Sequence, residues 1–429
     1  MKTVVRPETE MKNSGIDWIS SIPKDWKIPQ VRNFFEINRG RVIAKTEINE
    51  LYKEGLFPVY SSQTKDNGCM GYIDSYDFEK EGLTWTTDGA YAGTVFYRKG
   101  KYNCTNVCGI LTLKDGFDVS VPFCKYSIGW SAMNCRRADI NGYKIMSNEM
   151  AAIKFVMPPL FEQQAIADYL DETCSKIDEI IAEAKASIDE YKELRQGIIF
   201  EAVTKGLDKN VEMKSTSVGW IGMVPSHWRV AKIRQVAEFY NGDRSSKYPS
   251  GDDIVSEGII FITSNNLGYI VLNTNISTNK FITKQKYDDL GGAKLRINDI
   301  VFCLRGSVGK CAINKTFDEG TIASSLVVIR AKKVDADYLN YVLQNHRITD
   351  EAIVNAIGIG SLNLAAHDIS EFYMPIPPER EMQDIVRYLD DKVGNVDDLI
   401  SEKESLIADL EAYKKSLIYE VVTGKRRVV

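Results

Sequence analysis

The chain carries its own sequence twice. Trp18-Ile19, Pro23, Trp26, Arg32, Glu36 and Gly40 return 202 positions later as Trp220-Ile221, Pro225, Trp228, Arg234, Glu238 and Gly242. Pro158-Pro159, Glu162, Gln164, Ile166 and Tyr169-Leu170-Asp171 return 219 positions later as Pro377-Pro378, Glu381, Gln383, Ile385 and Tyr388-Leu389-Asp390, and this match runs without a gap to Val203-Thr204 and Val422-Thr423. Between the matched blocks lie stretches that are much less alike. A period this long is a whole domain plus a helix, so the chain is expected to fold as two like halves with pseudo-twofold symmetry.

The 429 residues exceed what a single hydrophobic core serves. The repeat divides them into a first domain at 9–157, a long spacer helix at 158–205, a linker at 206–216, a second domain at 217–376 and a second spacer helix at 377–426. Met11-Lys12 even recurs as Met213-Lys214. Each helical block opens after a Pro-Pro pair, which is tolerated at a helix entrance and not inside. Apolar positions then follow at steps of three and four through Ile166, Leu170, Thr173, Ile177, Ile180, Ala184, Ile188, Tyr191, Arg195 and Ile198. The second seam runs through Leu389, Lys392, Val396, Leu399, Lys403, Leu406, Leu410, Tyr413 and Leu417. A stripe of about 40 residues, roughly 60 Å at 1.5 Å per residue, cannot bury itself. The economical arrangement is an antiparallel coiled coil of the two helices; the alternative is two helices docked separately on their own domains.

The domains read as β-rich and mixed, giving an α+β fold. Phe57–Tyr60, Gly71–Ile73, Thr94–Tyr97 and Ile110–Leu113 are strand-like in the first. Gly258–Thr263, Ile300–Leu304 and Leu326–Ile329, with a helix near Asp337–His346, are the counterparts in the second. A weaker echo pairs Gly129, Asn134 and Asp139-Ile140 with Gly358, Asn363 and Asp368-Ile369.

The net charge of -5 lacks a nucleic-acid footprint, but its distribution matters more. The first helical block holds 11 acidic and 5 basic residues and the second 12 and 8, so the remainder of the chain is mildly basic. The helices suit protein partners, and the domains permit DNA. No apolar run is long enough to span a bilayer, and Met1–Ser14 is too polar for a signal peptide, so a soluble cytoplasmic protein with no membrane partner is expected. The eight cysteines show no C-x-x-C pair and the three histidines are scattered, which favours reduced thiols and no metal site.

Catalytic motifs are missing. Arg305-Gly-Ser-Val-Gly-Lys310-Cys311 departs from a phosphate loop at Leu304 and Cys311 and reads instead as a strand-loop-strand turn whose Arg and Lys reach a ligand. Gly358-Ile-Gly360 lacks the third glycine of a dinucleotide site. No Asn-Pro-Pro-aromatic motif, Ser-His-Asp set or His-Glu-x-x-His motif occurs. A binder, with no catalytic residues, is expected.

Gly219-Trp220-Ile221-Gly222-x-x-Pro225-x-x-Trp228 with its earlier copy, the two Pro-Pro-x-x-Glu-x-Gln helix starts, and Phe57-Pro-Val-Tyr-Ser-Ser62 with Gly71-Tyr-Ile-Asp74 resemble the DNA-specificity subunit of type I restriction-modification systems over nearly the whole chain. The resemblance implies two target-recognition domains held apart by paired spacer helices, each reading one half of a bipartite, asymmetric site in double-stranded DNA. It implies two modification subunits that bind S-adenosylmethionine and methylate adenine, and restriction subunits that use ATP and Mg; it puts no cofactor on this chain. Arg and Lys pair with guanine and Asn and Gln with adenine. The expected DNA contacts are therefore Gln63, Lys65, Asn67, Arg136 and Arg137 in the first domain, and Asn265, Asn266, Arg305, Lys310, Ser361 and Asn363 in the second. Trp18, Trp26, Trp220 and Trp228 recur with the scaffold and read as anchors where domain meets helix. Two other readings compete: a methyltransferase in its own right, against which the missing motifs count, and a coiled-coil scaffold with protein-binding domains, for which DNA association would be salt-sensitive and sequence-blind.

Overall fold

A computed structural model describes residues 2–140, 142–275, 277, 279–355 and 364–428. The chain divides into two compact units, Met1–Glu183 with Leu406–Val429, and Ala184–Ser405.

The strands of the first unit used below are β1 (Phe35–Arg39), β2 (Phe57–Tyr60), β3 (Cys69–Ile73), β4 (Gly82–Thr86), β5 (Val95–Arg98), β6 (Asn103–Cys104) and β7 (Cys108–Leu113). Those of the second are β8 (Ala237–Asn241), β9 (Ile259–Ile262), β10 (Lys280–Ile282), β11 (Ile300–Cys303), β12 (Cys311–Ile313), β13 (Gly320–Ile322) and β14 (Leu326–Ala331). Four helices matter: α1 (Val121–Cys135), α2 (Leu160–Lys205), α3 (Ala336–Leu343) and α4 (Glu379–Val422).

Both units use one plan. An antiparallel four-stranded sheet has the order β1-β7-β4-β5 in the first unit and β8-β14-β11-β12 in the second. Beside it, β2 lies between parallel β6 and antiparallel β3, just as β9 lies between parallel β13 and antiparallel β10. The cores are built on Trp26, Phe35, Trp85 and Phe123 in the first unit and on Trp228, Phe302 and Tyr338 in the second.

Sequence repetition becomes repeated contact. Lys12 Nζ donates to the carbonyls of Lys24 and Trp26 at 2.6 and 2.8 Å, and Lys214 Nζ to those of Ser226 and Trp228 at 2.7 and 2.5 Å. This explains why the lysine of the Met-Lys pair recurs. The Trp228 indole N–H donates to Glu381 of α4 at 2.8 Å, so the repeated tryptophan does anchor its unit to a helix start. Each long helix then ends on a left-handed glycine, Gly206 at φ +73° and Gly424 at φ +72°. A Cβ on Gly206 would come within 3.0 Å of Trp228, and one on Gly424 within 2.8 Å of Trp26, so the chain turns directly over the anchor ring.

Sequence reasoning missed α1. Its buried residues, Val121, Phe123, Tyr126, Ile128 and Ala132 with Ser127 and Ser131, mix apolar and polar side chains around the helix, so no amphipathic period marks it. Its counterpart is α3: Ser120 caps the Phe123 N–H as Asp335 caps that of Tyr338. Likewise Tyr126 donates to Asp171 at 2.6 Å as Tyr341 donates to Asp390 at 2.7 Å. This pairing overturns the echo that begins at Gly129. Gly129 and Asn134 lie in α1 and Asp139 on a strand, whereas Asp368 is in a short helix, Ala366–Ser370; Gly358 and Asn363 lie outside the described residues.

Within each unit the first half of one long helix packs antiparallel on the second half of the other. In the first unit Ile166, Leu170, Ile177 and Ile181 share a core with Leu417 and Val421; in the second, Ile199 and Val203 share one with Ile385, Leu389 and Val393. The expected seam is displaced by one residue at alternate steps. Ile180 is 45% exposed and Ile181 8%; Cys174, Ile199, Val393 and Ile400 are buried where Thr173, Ile198, Lys392 and Leu399 were expected. Both choices keep the three-four spacing, and only the facing surface selects between them.

The corrected seam brings Arg195 and Lys414, which are 219 positions apart, into equivalent places. Arg195 Nε meets Asp397 at 2.9 Å, and Lys414 Nζ meets Asp178 at 2.6 Å. One ion pair is thus repeated, but its surroundings differ. The side chains of Arg195 and Asp397 are 7% and 18% exposed, those of Lys414 and Asp178 27% and 59%. Arg195 also donates to Gln344 at 2.7 Å and to the Tyr269 carbonyl at 3.3 Å.

Candidate nucleic-acid interface

In the second unit the chain leaves β8 through Gly242-Asp243-Arg244-Ser245, which packs against the loop Gly291-Gly292-Ala293. A Cβ on Gly292 would lie 2.3 Å from the Asp243 nitrogen, so only glycine permits this approach. Asp243 ties the loops together, accepting from the Ser245 N–H at 2.6 Å and the Gly291 N–H at 2.7 Å, while the Ala293 N–H donates to the Asn241 carbonyl at 2.9 Å. Hydrogen bonds from Ser245, side chain first and then backbone, followed by those from the Gly291 and Gly292 backbone, hold the Asp243 carboxyl below its ordinary range.

These clamped loops floor an open groove of about 910 Å³ lined by Arg244, Lys247, Lys294, Arg296, Arg330 and Lys332. Two of the six cations are neutralised: Arg330 is held by Asp299 at 2.7 Å and Lys332 by Glu238 at 3.1 Å. Lys294 lies over the Tyr287 ring at 3.7 Å and donates to its carbonyl; burial lowers its pKa. Arg244, Lys247 and Arg296 have no hydrogen bond or ion pair from their side chains to any described residue. Only Asp243, already engaged, and Asp289 add negative charge to the lining. Unpaired guanidinium and ammonium groups on a rigid backbone floor fit a phosphate chain.

None of the expected contacts of the second domain lines this groove. Asn265 is exposed on a turn after β9, but Asn266 is 0% exposed. Its amide accepts from Thr263 at 2.9 Å and donates to Asn279 at 2.9 Å, so it shapes the turn that presents Asn265. Arg305 and Lys310 are exposed on the hairpin between β11 and β12, which is the expected strand-loop-strand turn. Ser361 and Asn363 lie outside the described residues. Leu364, just after them, donates its N–H to the Leu304 carbonyl at 2.9 Å, next to Arg305.

In the first unit Gln63 and Lys65 come together in a cavity of about 650 Å³ with Lys45, Glu50 and Tyr72. Lys65 and Asn67 are exposed, whereas the Gln63 amide donates to the Cys69 carbonyl and closes the base of the loop. Asp66 and Asn67 are both left-handed, at φ +49° and +53°. Arg98 of β5 holds that shape: it donates to the Asn67 carbonyl and to Thr84 Oγ1, each at 2.9 Å, and stacks 3.5 Å from the Tyr60 ring centre. Buried Arg98 was missed by sequence reasoning, and its one signal is an arginine inside the strand-like run Val-Phe-Tyr-Arg. Arg136 and Arg137 line neither cavity. Arg136 lies 3.9 Å over Tyr143 and donates to the Ala90 carbonyl at 3.3 Å, while Arg137 pairs with Glu149 at 2.8 Å.

Among the described residues no helix is long and apolar enough to cross a membrane, and no cluster of three or more His, Cys, Asp or Glu could hold a metal ion. Residues 23–190 and 225–408 match the family described as Type I restriction modification DNA specificity domain. The chain belongs to that family. A putative type I specificity subunit of Mycoplasma pneumoniae is 38% identical over 156 residues, which cover 35% of this chain and 49% of that protein. The type I restriction enzyme MjaVIII specificity subunit of Methanocaldococcus jannaschii is 23% identical over 419 residues, covering 95% of this chain and 94% of that one. The fold is shared with a chain of a solved type I restriction-modification system, at a TM-score of 0.64 with 14% identity, over 94% of this chain and 99% of that one.

Proposed function

We propose that this chain is the specificity subunit of a type I restriction-modification complex, in which each unit reads one half of a bipartite, asymmetric site in double-stranded DNA. The observation that carries the reading is one framework bearing two different surfaces. Strand order, anchor tryptophan, lysine clamp and Tyr-Asp contact are repeated, yet the connection between β2 and β3 has eight residues, 61–68, and that between β9 and β10 has seventeen, 263–279. Like frameworks suit two equivalent partners, and unlike loops suit two different half-sites.

In this reading the basic groove engages the DNA backbone and sets register, while exposed Lys65, Asn67, Asn265, Arg305 and Lys310 are the candidates for base edges. The acidic spacer helices carry two modification subunits. Those subunits bind S-adenosylmethionine and flip and methylate adenine, and restriction subunits with ATP and Mg join them. The specificity chain itself performs no chemistry and places the partner's pocket over the right base.

The test is an exchange. Replacing residues 41–150 by the corresponding segment of another family member and sequencing the cell's methylated DNA should change one half of the methylated motif and leave the other half intact. If both halves changed together, the units would not read independently.

A further inference from the structure

The two units differ at one equivalent place beside the long helices. In the second unit the seventeen-residue connection sends a turn, Leu267–Leu272, across the end of the sheet. Ile270 accepts from the Ile313 N–H at 2.9 Å, and the Leu272 N–H donates back to Ile313 at 3.0 Å, so the turn covers the edge of β12. The Ile270 carbonyl also accepts from Asn340 at 3.1 Å, and that of Tyr269 from Arg195 at 3.3 Å. Gln344 of the α3 end fills the remaining space against Arg195.

The first unit has the corresponding walls, and among its described residues no turn fills the space between them. Its eight-residue connection cannot reach so far. By strand register Tyr97 of β5 stands where Ile313 stands, and β5 is the last strand of its sheet with no described partner on its outer side. Lys125 takes the place of Asn340, Lys414 that of Arg195, and Gly129 that of Gln344. What remains is a cleft of about 620 Å³ lined by Thr94, Lys125, Gly129, Trp130, Asp178 and Lys414, among others.

The geometry points to this cleft as a docking site for a turn of a modification subunit, one that adds its backbone to β5 and presents a carbonyl to Lys414. The second unit supplies the template for the occupant's chemistry: an extended turn with two outward carbonyls, added to an edge strand. The cleft's other wall is formed by α2 and α4, the helices that carry the modification subunits in the reading above, on which this inference rests. It adds that the two halves do not hold their partners alike.

Gly129→Gln tests it. A Cβ at Gly129 meets only Val95, at 3.5 Å, and glycine inside a helix is unfavourable, so the variant should fold with an unchanged or raised Tm while its side chain fills the cleft as Gln344 does. Titration of the full chain with purified modification subunit, without DNA, should show binding weakened at least tenfold. A benzophenone amino acid at Thr94 should crosslink to a segment of that subunit, and the crosslink should be lost in the Gly129→Gln background. Unchanged affinity with a crosslink absent, or formed only within this chain or to DNA, overturns the docking site and leaves DNA reading standing. Failure of the unsubstituted chain to bind a modification subunit at all would remove the site together with the reading beneath it.

Discussion

Changing Arg244, Lys247 and Arg296 together to Glu is expected to lower DNA affinity roughly 100-fold or more at physiological salt, and to do so equally for specific and unrelated sequences. The three side chains have no acidic partner among the described residues, so none is needed to hold the fold. Each phosphate contact removed should reduce the slope of log affinity against log salt by about 0.9, giving a loss near 3 for the triple variant. Fluorescence anisotropy on the assembled complex across a salt series measures both. An unchanged slope would place the groove away from the DNA backbone. A loss confined to one cognate sequence would instead make these residues base readers.

The repeated ion pair gives a second large effect, because nearly the same chemistry is set in two environments. Asp397→Ala should cost about 3 kcal/mol, since it leaves the Arg195 guanidinium buried with only neutral acceptors. Asp178→Ala, at the equivalent place in the other unit, should cost under about 1 kcal/mol, because that pair is partly solvated, with Asp178 largely exposed. Burial is also the main influence on Asp397, raising its pKa against the opposing pull of Arg195. Urea denaturation of the two variants side by side checks the ordering. Equal losses would mean that the buried setting of Arg195 does not govern the pair.

Much of this architecture was legible because scaffold chemistry repeats. The tryptophans, the Pro-Pro helix starts and the Met-Lys pair recur at fixed offsets; the lysine clamp and the packing of a helix-ending glycine on a tryptophan are the same in both units, whereas the bond from Trp228 to Glu381 has no counterpart at Trp26. The three-four spacing announced the long helices, but spacing alone does not choose between Ile180 and Ile181, and the face was set by what packs against it. Helix α1 was hidden because its apolar and polar residues are not segregated onto opposite faces, which leaves no period to read. The interface was the least legible part. Arg244, Lys247, Lys294 and Arg296 sit on two loops far apart in sequence, joined by the close approach of Gly292 to Asp243 and the hydrogen bonds beside it. Asn266 and Gln63 have the right chemistry for reading bases, yet their amides hold loops together. Side-chain type does not reveal whether a polar group faces outward or is spent within the fold.

The most direct measurement is methylome sequencing of cells with and without this gene, with the modification subunit expressed in both. A specificity subunit predicts loss of methyladenine at one bipartite motif and no other change, and that motif would also reveal both half-sites. An unchanged methylome would contradict the account and leave the paired helices as a scaffold for other proteins.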